Sequence, residues 1–243
     1  ALPGLTEFFA AIRTRGLKVV LATNNASQTA EQYAAKLAGF GVHVDVAEVM
    51  TSAMATAEVL SKRDLPSRKV YVIGGDGIQN AMAGAGFERL GLYEKGAAVV
   101  VVGMDRGLSW DKLATATINL RAGAAFVGTN PDVTVPSEHG TTHGNGAILA
   151  ALTAATGLKP EIIGKPEPTM YQLALDHLGI APERALAVGD RLDTDIMGAN
   201  RAGIDSVLVL SGVSTRAEAG AGPARPSVIM TDIRELTDWL SAA

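Results

Sequence analysis

Apolar residues in this chain fall into short, near-continuous runs separated by longer stretches with helical spacing. The runs are residues 18–23 (KVVLAT), 70–73 (VYVI), 97–102 (AAVVVV), 125–127 (AFV), 161–163 (EII), 185–188 (ALAV), 206–210 (SVLVL) and 228–230 (VIM). Continuous rather than alternating apolarity predicts strands covered on both faces, as in a parallel sheet. Between them, Thr29 and Gln32 have capping-box spacing ahead of a helix that Gly39 and Gly41 can stop. Met170, Leu173, Ala174 and Leu178 share one helical face, closed by Gly179. Asp232 to Glu235 cap a last helix with Leu236 and Leu240 turned inward. Residues 215–226, rich in Ala, Gly and Pro, read as a loop. Strands alternating with helices predict an α/β fold. Residues 67–159 carry strands and helices of their own, so the expected division is 1–66 with 160–243 as one domain and 67–159 as an insert.

Composition narrows the chemistry. Of 243 residues, 47% are hydrophobic and 19% charged, enough to bury a sizeable core. The net charge of −4 argues against a broad footprint for nucleic acid or an anionic membrane. No apolar run approaches the ~18 residues of a membrane span. With no cysteine, disulfide frameworks, Cys-zinc sites and thiol nucleophiles are excluded, and a reducing, cytoplasmic setting is expected.

Three predicted strands turn abruptly polar at their carboxyl ends. They run into Thr23-Asn24-Asn25, into Gly164-Lys165-Pro166, and into Gly189-Asp190-Arg191-Leu192-Asp193-Thr194-Asp195. Ligands of open parallel sheets bind beyond the carboxyl ends of strands. A hydroxyl, loop N–H groups and a lysine suit phosphate oxygens, and the carboxylates suit a hard dication such as Mg²⁺. Singly, each segment has a structural reading: an Asx-type turn, a solvated loop lysine, a helix cap with a first-turn acid. Their joint occurrence at three strand ends favours phosphoryl chemistry.

Other motifs fall away. Gly164-Lys165 is no Walker A loop, because Pro166 replaces the Ser/Thr. Gly74-Gly75-Asp76-Gly77 lacks the third glycine of a dinucleotide loop and reads as a tight turn. His43, His139, His143 and His177 show no metal-ligand spacing, and no serine sits in a GxSxG context.

The ordered set Thr23-Asn24-Asn25-Ala26-Ser27, Thr51-Ser52-Ala53, Thr129-Asn130-Pro131-Asp132, Gly164-Lys165-Pro166-Glu167-Pro168, Gly189 to Asp195, and Leu210 to Ser214 resembles the NagD-like, p-nitrophenylphosphatase branch of the haloacid dehalogenase superfamily. The resemblance runs from Leu2-Pro3-Gly4 to about Ser214. It implies a Rossmann-like core with a C2-type α/β cap inserted at 67–159. It also implies Mg²⁺-dependent phosphatase chemistry through an aspartyl-phosphate. Thr23 would bind the transferring phosphoryl group, and Asn24 and Asn25 would orient it. Lys165 would neutralise charge, Asp190 would ligate the metal, and Asp195 would hold a metal-bound water or the loop. Asp193 is expected to face solvent or the cap. The implied substrates are small phosphorylated metabolites: phosphoglycolate, glycerol phosphate, nucleoside monophosphates or pyridoxal phosphate. Asn130, Asp132 and His143 are candidates to contact them. A homodimer through the cap is compatible with an exposed Val-rich strand at 97–102, and a buried cap core is the alternative.

The family's DxDG motif, with its nucleophilic and acid/base aspartates on the first core strand, has no counterpart in these residues. Asp193 and Asp195 form the chain's Asp-x-Asp, within the last motif, and Asp76 and Asp105 fall in the insert. The expectation is an N-terminal extension that carries this strand, with the 243 residues alone inactive. A non-catalytic phospholigand-binding protein that has lost the motif is the competing reading.

Overall fold

The computed structural model describes residues 3–242; Ala1 and Leu2, the latter part of the Leu2-Pro3-Gly4 segment above, lie outside them, as does Ala243. The chain divides into two compact units, one of Ala1–Ala22, Glu31–Met50 and Lys165–Ala243, the other of Thr23–Ala30 and Thr51–Gly164.

The amino-terminal half begins with α1 (Leu5–Thr14), β1 (Leu21–Thr23), α2 (Ala30–Ala38), β2 (Val49–Thr51) and α3 (Ser52–Ser61). Next come β3 (Lys69–Ile73), α4 (Asp76–Gly84), β4 (Glu88–Arg89), β5 (Val99–Val102), α5 (Trp110–Arg121) and β6 (Ala125–Gly128). A hairpin of β7 (Thr134–Ser137) and β8 (Gly140–His143) precedes α6 (Asn145–Thr156), β9 (Glu161–Ile162) and α7 (Thr169–Leu178). The chain ends with β10 (Leu186–Gly189), α8 (Met197–Arg201), β11 (Asp205–Val209), α9 (Arg216–Ala221), β12 (Val228–Met230) and α10 (Ile233–Ala242). No described helix is long and apolar enough to cross a membrane.

In the second unit, five parallel strands lie in the order β4-β3-β5-β6-β9. Val99 to Val102 are wholly buried at the sheet's centre, so β5 is covered on both faces and offers no surface to a second copy. Tyr71, Ile73, Val100, Val102 and Phe126 pack with Leu120 of α5 and with Ile148, Leu149 and Leu152 of α6. The glycine-rich turn after β3 has a packing role. Gly77 and Ile78 N–H groups, unpaired in the first turn of α4, donate to the Ser27 and Ala26 carbonyls at 3.1 and 2.9 Å. A Cβ on Gly77 would lie 2.4 Å from the Gln28 carbonyl oxygen and 2.5 Å from that of Ala26. Gly77→Ala is therefore expected to destabilise by ~1–3 kcal/mol, since backbone cannot give way as a side-chain tip does. A thermal melt should show Tm lowered by several degrees.

In the first unit, β10, β11 and β12 form a parallel sheet. Leu208 packs with Ile196 and Ala219 on one cluster, and Val207 and Val209 pack with Met230 and Leu236 on another. Among the described residues β10 pairs with β11 alone and so forms an edge. Its Leu186 and Val188 stay 44% and 41% exposed, unusual for apolar strand residues. They border a cleft of about 460 Å³ whose walls include Phe8 and Ile12 of α1, Val19 to Ala22, Leu175, and Leu236 and Leu240 of α10. Lys165, Tyr171 and Asp195 also line it.

Three expectations change. Residues 18–20 have strand-like sequence but make no ladder; only Leu21–Thr23 pair, with β2. Part of the expected loop at 215–226 is helix α9, nucleated by a capping box. The Thr215 hydroxyl accepts from Glu218 N–H while the Glu218 carboxylate accepts from Thr215 N–H at 2.7 Å. Ala219 then fills a core position, which composition alone disguised. Strands β2, β4, β7 and β8 are additional; β4 has two residues, too few to show a period, and β7 and β8 are exposed or half-exposed and polar.

Candidate functional site

At the carboxyl end of β10 the chain enters one π turn, Leu192–Ile196. Asp195 and Ile196 N–H groups share the Arg191 carbonyl at 2.9 and 3.1 Å. The Tyr171 hydroxyl, from α7, donates to the Asp195 carbonyl at 2.9 Å. Burial, aided by the Asp195 charge, pushes the Tyr171 phenol well above its ordinary range, so it stays a donor.

The turn aims the Asp195 carboxylate at Lys165. Their Nζ–Oδ1 distance is 2.7 Å, and the two side chains are 11% and 12% exposed. The other carboxylate oxygen accepts from Arg191 N–H at 3.1 Å, and Lys165 Nζ also donates to the Ala22 carbonyl at 2.8 Å. A buried charge pair of this kind persists because its remaining bonds are also made. A Cβ on Gly189 would lie 2.3 Å from that of Asp195, so the close approach needs glycine.

Asp190 is gripped by the loop after β11. Val213 N–H donates to its carboxylate and Ser214 N–H to its carbonyl, each at 3.0 Å. The Ser214 hydroxyl oxygen accepts from Leu192 N–H at 3.0 Å. The other Asp190 carboxylate oxygen accepts no hydrogen bond among the described residues. Asp193 lies apart, exposed and paired with Arg191 at 2.8 Å; that guanidinium holds its carboxyl below the usual range. No cage of three or more His, Asp or Glu side chains occurs among the described residues. Mg²⁺ does not require one, because it takes one or two carboxylates and retains waters. Asp190 fits that donor set; Asp195, committed to Lys165 and Arg191, fits a supporting place.

The second unit holds the other expected residues. The Thr23 hydroxyl oxygen accepts from Asn25 N–H at 3.2 Å. The Asn25 side-chain oxygen accepts from Ser27 N–H and hydroxyl at 2.9 and 2.7 Å, an Asx turn. Asn24 donates to Asp132 Oδ2 at 3.2 Å, and its carbonyl accepts from Ser52 Oγ and Asn130 Nδ2, both at 2.7 Å. A Cβ on Gly164 would lie 2.7 Å from Asn24 Oδ1. His143 is exposed on the hairpin, and Asp105 is buried against Lys112 at 2.7 Å.

Lys165 with Asp195 is thus a built pair, Asp190 stands on the same β10 turn, and Thr23, Asn24 and Asn25 share one stapled loop. Sequence reasoning missed Tyr171 and Asn145. Tyr171 adjoins the apolar face of α7, where only its hydroxyl hinted at a polar task. Asn145 opens an otherwise apolar helix, a position that could have drawn attention.

Residues 1–88 match the family described as haloacid dehalogenase-like hydrolase, and 162–236 match the HAD-hydrolase-like family. The acid sugar phosphatase of Staphylococcus aureus is 37% identical over 234 residues, covering 96% of this chain and 89% of that protein. Among solved structures, NagD from E. coli K-12 is similar at TM-score 0.89 and 36% identity, covering 97% of this chain and 91% of NagD. A p-nitrophenyl phosphatase from Archaeoglobus fulgidus is similar at TM-score 0.90 and 28% identity, covering 100% and 92%. With a relative of that identity over nearly its whole length, this chain belongs to the haloacid dehalogenase-like hydrolases, in the branch that includes NagD and the p-nitrophenylphosphatases.

Proposed function

We propose that this protein is a Mg²⁺-dependent phosphatase for small phosphomonoesters, working through an aspartyl-phosphate. The observation that carries the reading is the buried Lys165 ammonium, held by Asp195 and the Ala22 carbonyl where the apolar cleft of the first unit meets polar groups. A lysine built at such cost into a parallel-sheet carboxyl end suits an anionic reaction centre. The phosphatase names of the relatives support the same chemistry, and the Staphylococcus relatives' name favours phosphorylated sugars among the substrates.

Each residue has a task. The Thr23 hydroxyl donates to a phosphate oxygen, and Asn24 and Asn25 orient the loop around it. Lys165 offsets the charge of nucleophile and phosphate. Asp190 would ligate Mg²⁺, which when bound supplies positive charge against the phosphate oxygens. Asp195 keeps Lys165 and the turn in place. A carboxylate attacks phosphorus as the ester P–O bond breaks, and an acid gives the leaving oxygen its proton. Water then attacks phosphorus, releasing phosphate and restoring the carboxylate. Asp195 is committed to Lys165 and Arg191, and Asp190 is assigned to the metal, so neither is assigned as nucleophile or acid. Residues 67–159 are read as the cap, and the cysteine-free composition supports a cytoplasmic setting.

The test is p-nitrophenyl phosphate hydrolysis by the protein with Mg²⁺ and with EDTA. Turnover that EDTA abolishes is expected. Turnover unaffected by EDTA would refute the metal assignment. Phosphate binding without any turnover would favour the non-catalytic phospholigand reading.

A further inference from the structure

Two carboxamides in the second unit spend their NH₂ groups in sequence. Asn145, at the start of α6 and 1% exposed, donates to the Val102 carbonyl at the end of β5 at 3.0 Å and to the Asn130 carbonyl at 2.8 Å. Asn130, 4% exposed and just past β6, donates to the Asn24 carbonyl at 2.7 Å, which also accepts from Ser52 Oγ. The peptide that bears this carbonyl also bears the Asn25 N–H, which donates to Thr23 Oγ1 at 3.2 Å. Both ends of one peptide plane are therefore held. The Thr23 oxygen, used as an acceptor by that N–H, has its own proton left to donate elsewhere.

Asn145 shows that this relay serves more than saturation of hydrogen bonds. Its side-chain oxygen is buried without a hydrogen-bond partner among the described residues. A buried acceptor left so is destabilising, and a smaller residue would avoid it. What the carboxamide provides is the two bonds from its nitrogen.

We propose that Asn130 and Asn145 are positioning residues that fix the Asn24–Asn25 peptide, and through it the Thr23 hydroxyl, in the orientation that donates to phosphate. The proposal rests on the phosphatase reading above. Donors already aligned before the anion arrives cost no reorganisation when it binds, so misalignment should appear as lost affinity for the tetrahedral anion.

The experiment measures inorganic phosphate as a competitive inhibitor of the full-length enzyme, with thermal melting alongside. Asn130→Ser and Asn145→Ser remove the relay with hydroxyls too short to span it. Asn119→Ser is the control: Asn119 is an equally buried carboxamide in α5, donating to the Glu94 and Thr115 carbonyls at 2.9 and 3.0 Å, away from the Asn24 loop. All three should lower Tm, but only the relay variants should weaken phosphate inhibition, by about tenfold, the worth of roughly one hydrogen bond. Ser52→Ala, which removes the second donor to the Asn24 carbonyl, should weaken it several-fold and gives the answer if a relay variant does not fold. Unchanged phosphate inhibition in the relay variants that fold and in Ser52→Ala overturns the proposal while the phosphatase reading stands. An inactive wild-type enzyme that ignores phosphate overturns both.

Discussion

Lys165→Met in the full-length enzyme is expected to reduce kcat for p-nitrophenyl phosphate by at least two to three orders of magnitude and to lower Tm substantially. Methionine keeps the length of the side chain and removes its charge. Loss of one preorganised electrostatic group costs on the order of 10²–10³ in kcat. Removing one partner of a buried ion pair costs about 3–5 kcal/mol, because the other charge is left uncompensated. Here that charge is Asp195, 12% exposed, whose second oxygen accepts from the Arg191 N–H. Pairing Lys165→Met with Asp195→Asn separates the two effects. The double variant should regain much of the lost Tm, since no lone buried carboxylate remains, yet recover no activity. Stability lost equally in single and double variants would mean that the pair is not what Lys165 contributes to folding.

That lysine also shows how far a sequence can be read. Continuous apolar runs at 70–73, 97–102, 125–127 and 206–210 marked buried parallel strands because burial on both faces leaves no room for polar alternation. The same runs marked where polarity returned, and so Lys165 and Asp190 could be singled out before any coordinates. Strand pairing is another matter. Residues 18–20 carry the composition of a strand, but a strand exists only with a neighbour, and none of the described residues pairs with them. Helix α9 failed to show for the opposite reason: its Ala and Gly content looked like a linker, while the Thr215–Glu218 reciprocal cap decided the local structure.

Within the site, residue types were legible and bonding was not. Asn25 could be placed on a polar turn, but its engagement with Ser27 depends on the backbone of an Asx turn. Tyr171 and Asp195 are 24 residues apart, and their bond needs α7 and the π turn brought together by the fold. No period in the sequence encodes such a turn. The glycines were equally silent: Gly189 and Gly212 reveal themselves only when a Cβ is set against the neighbouring aspartate.

Gly212 leads to the second large effect. A Cβ at this position would stand 2.0 Å from Asp190 Oδ2 and 2.4 Å from Asp190 Cβ, so Gly212→Ala forces either the carboxylate to swing or the loop to lift. In both cases Oδ2 loses the Val213 N–H that now fixes its direction at 3.0 Å. Partners that orient a ligand are worth about 10–100-fold in metal affinity. Gly212→Ala is therefore expected to raise the Mg²⁺ concentration for half-maximal activity by that factor, with activity restored at high Mg²⁺. Asp190 Cβ is no flexible tip, so Tm should fall as well, and the Mg²⁺ requirement is read below the lowered Tm. Asp190→Asn removes the charge itself, so its deficit, two orders of magnitude or more, should persist at any Mg²⁺ concentration. The contrast tests the assignment at its most exposed point. If Gly212→Ala lowers activity with an unchanged Mg²⁺ requirement, Asp190 acts on the substrate rather than on the metal, and the ligand must be sought on another carboxylate.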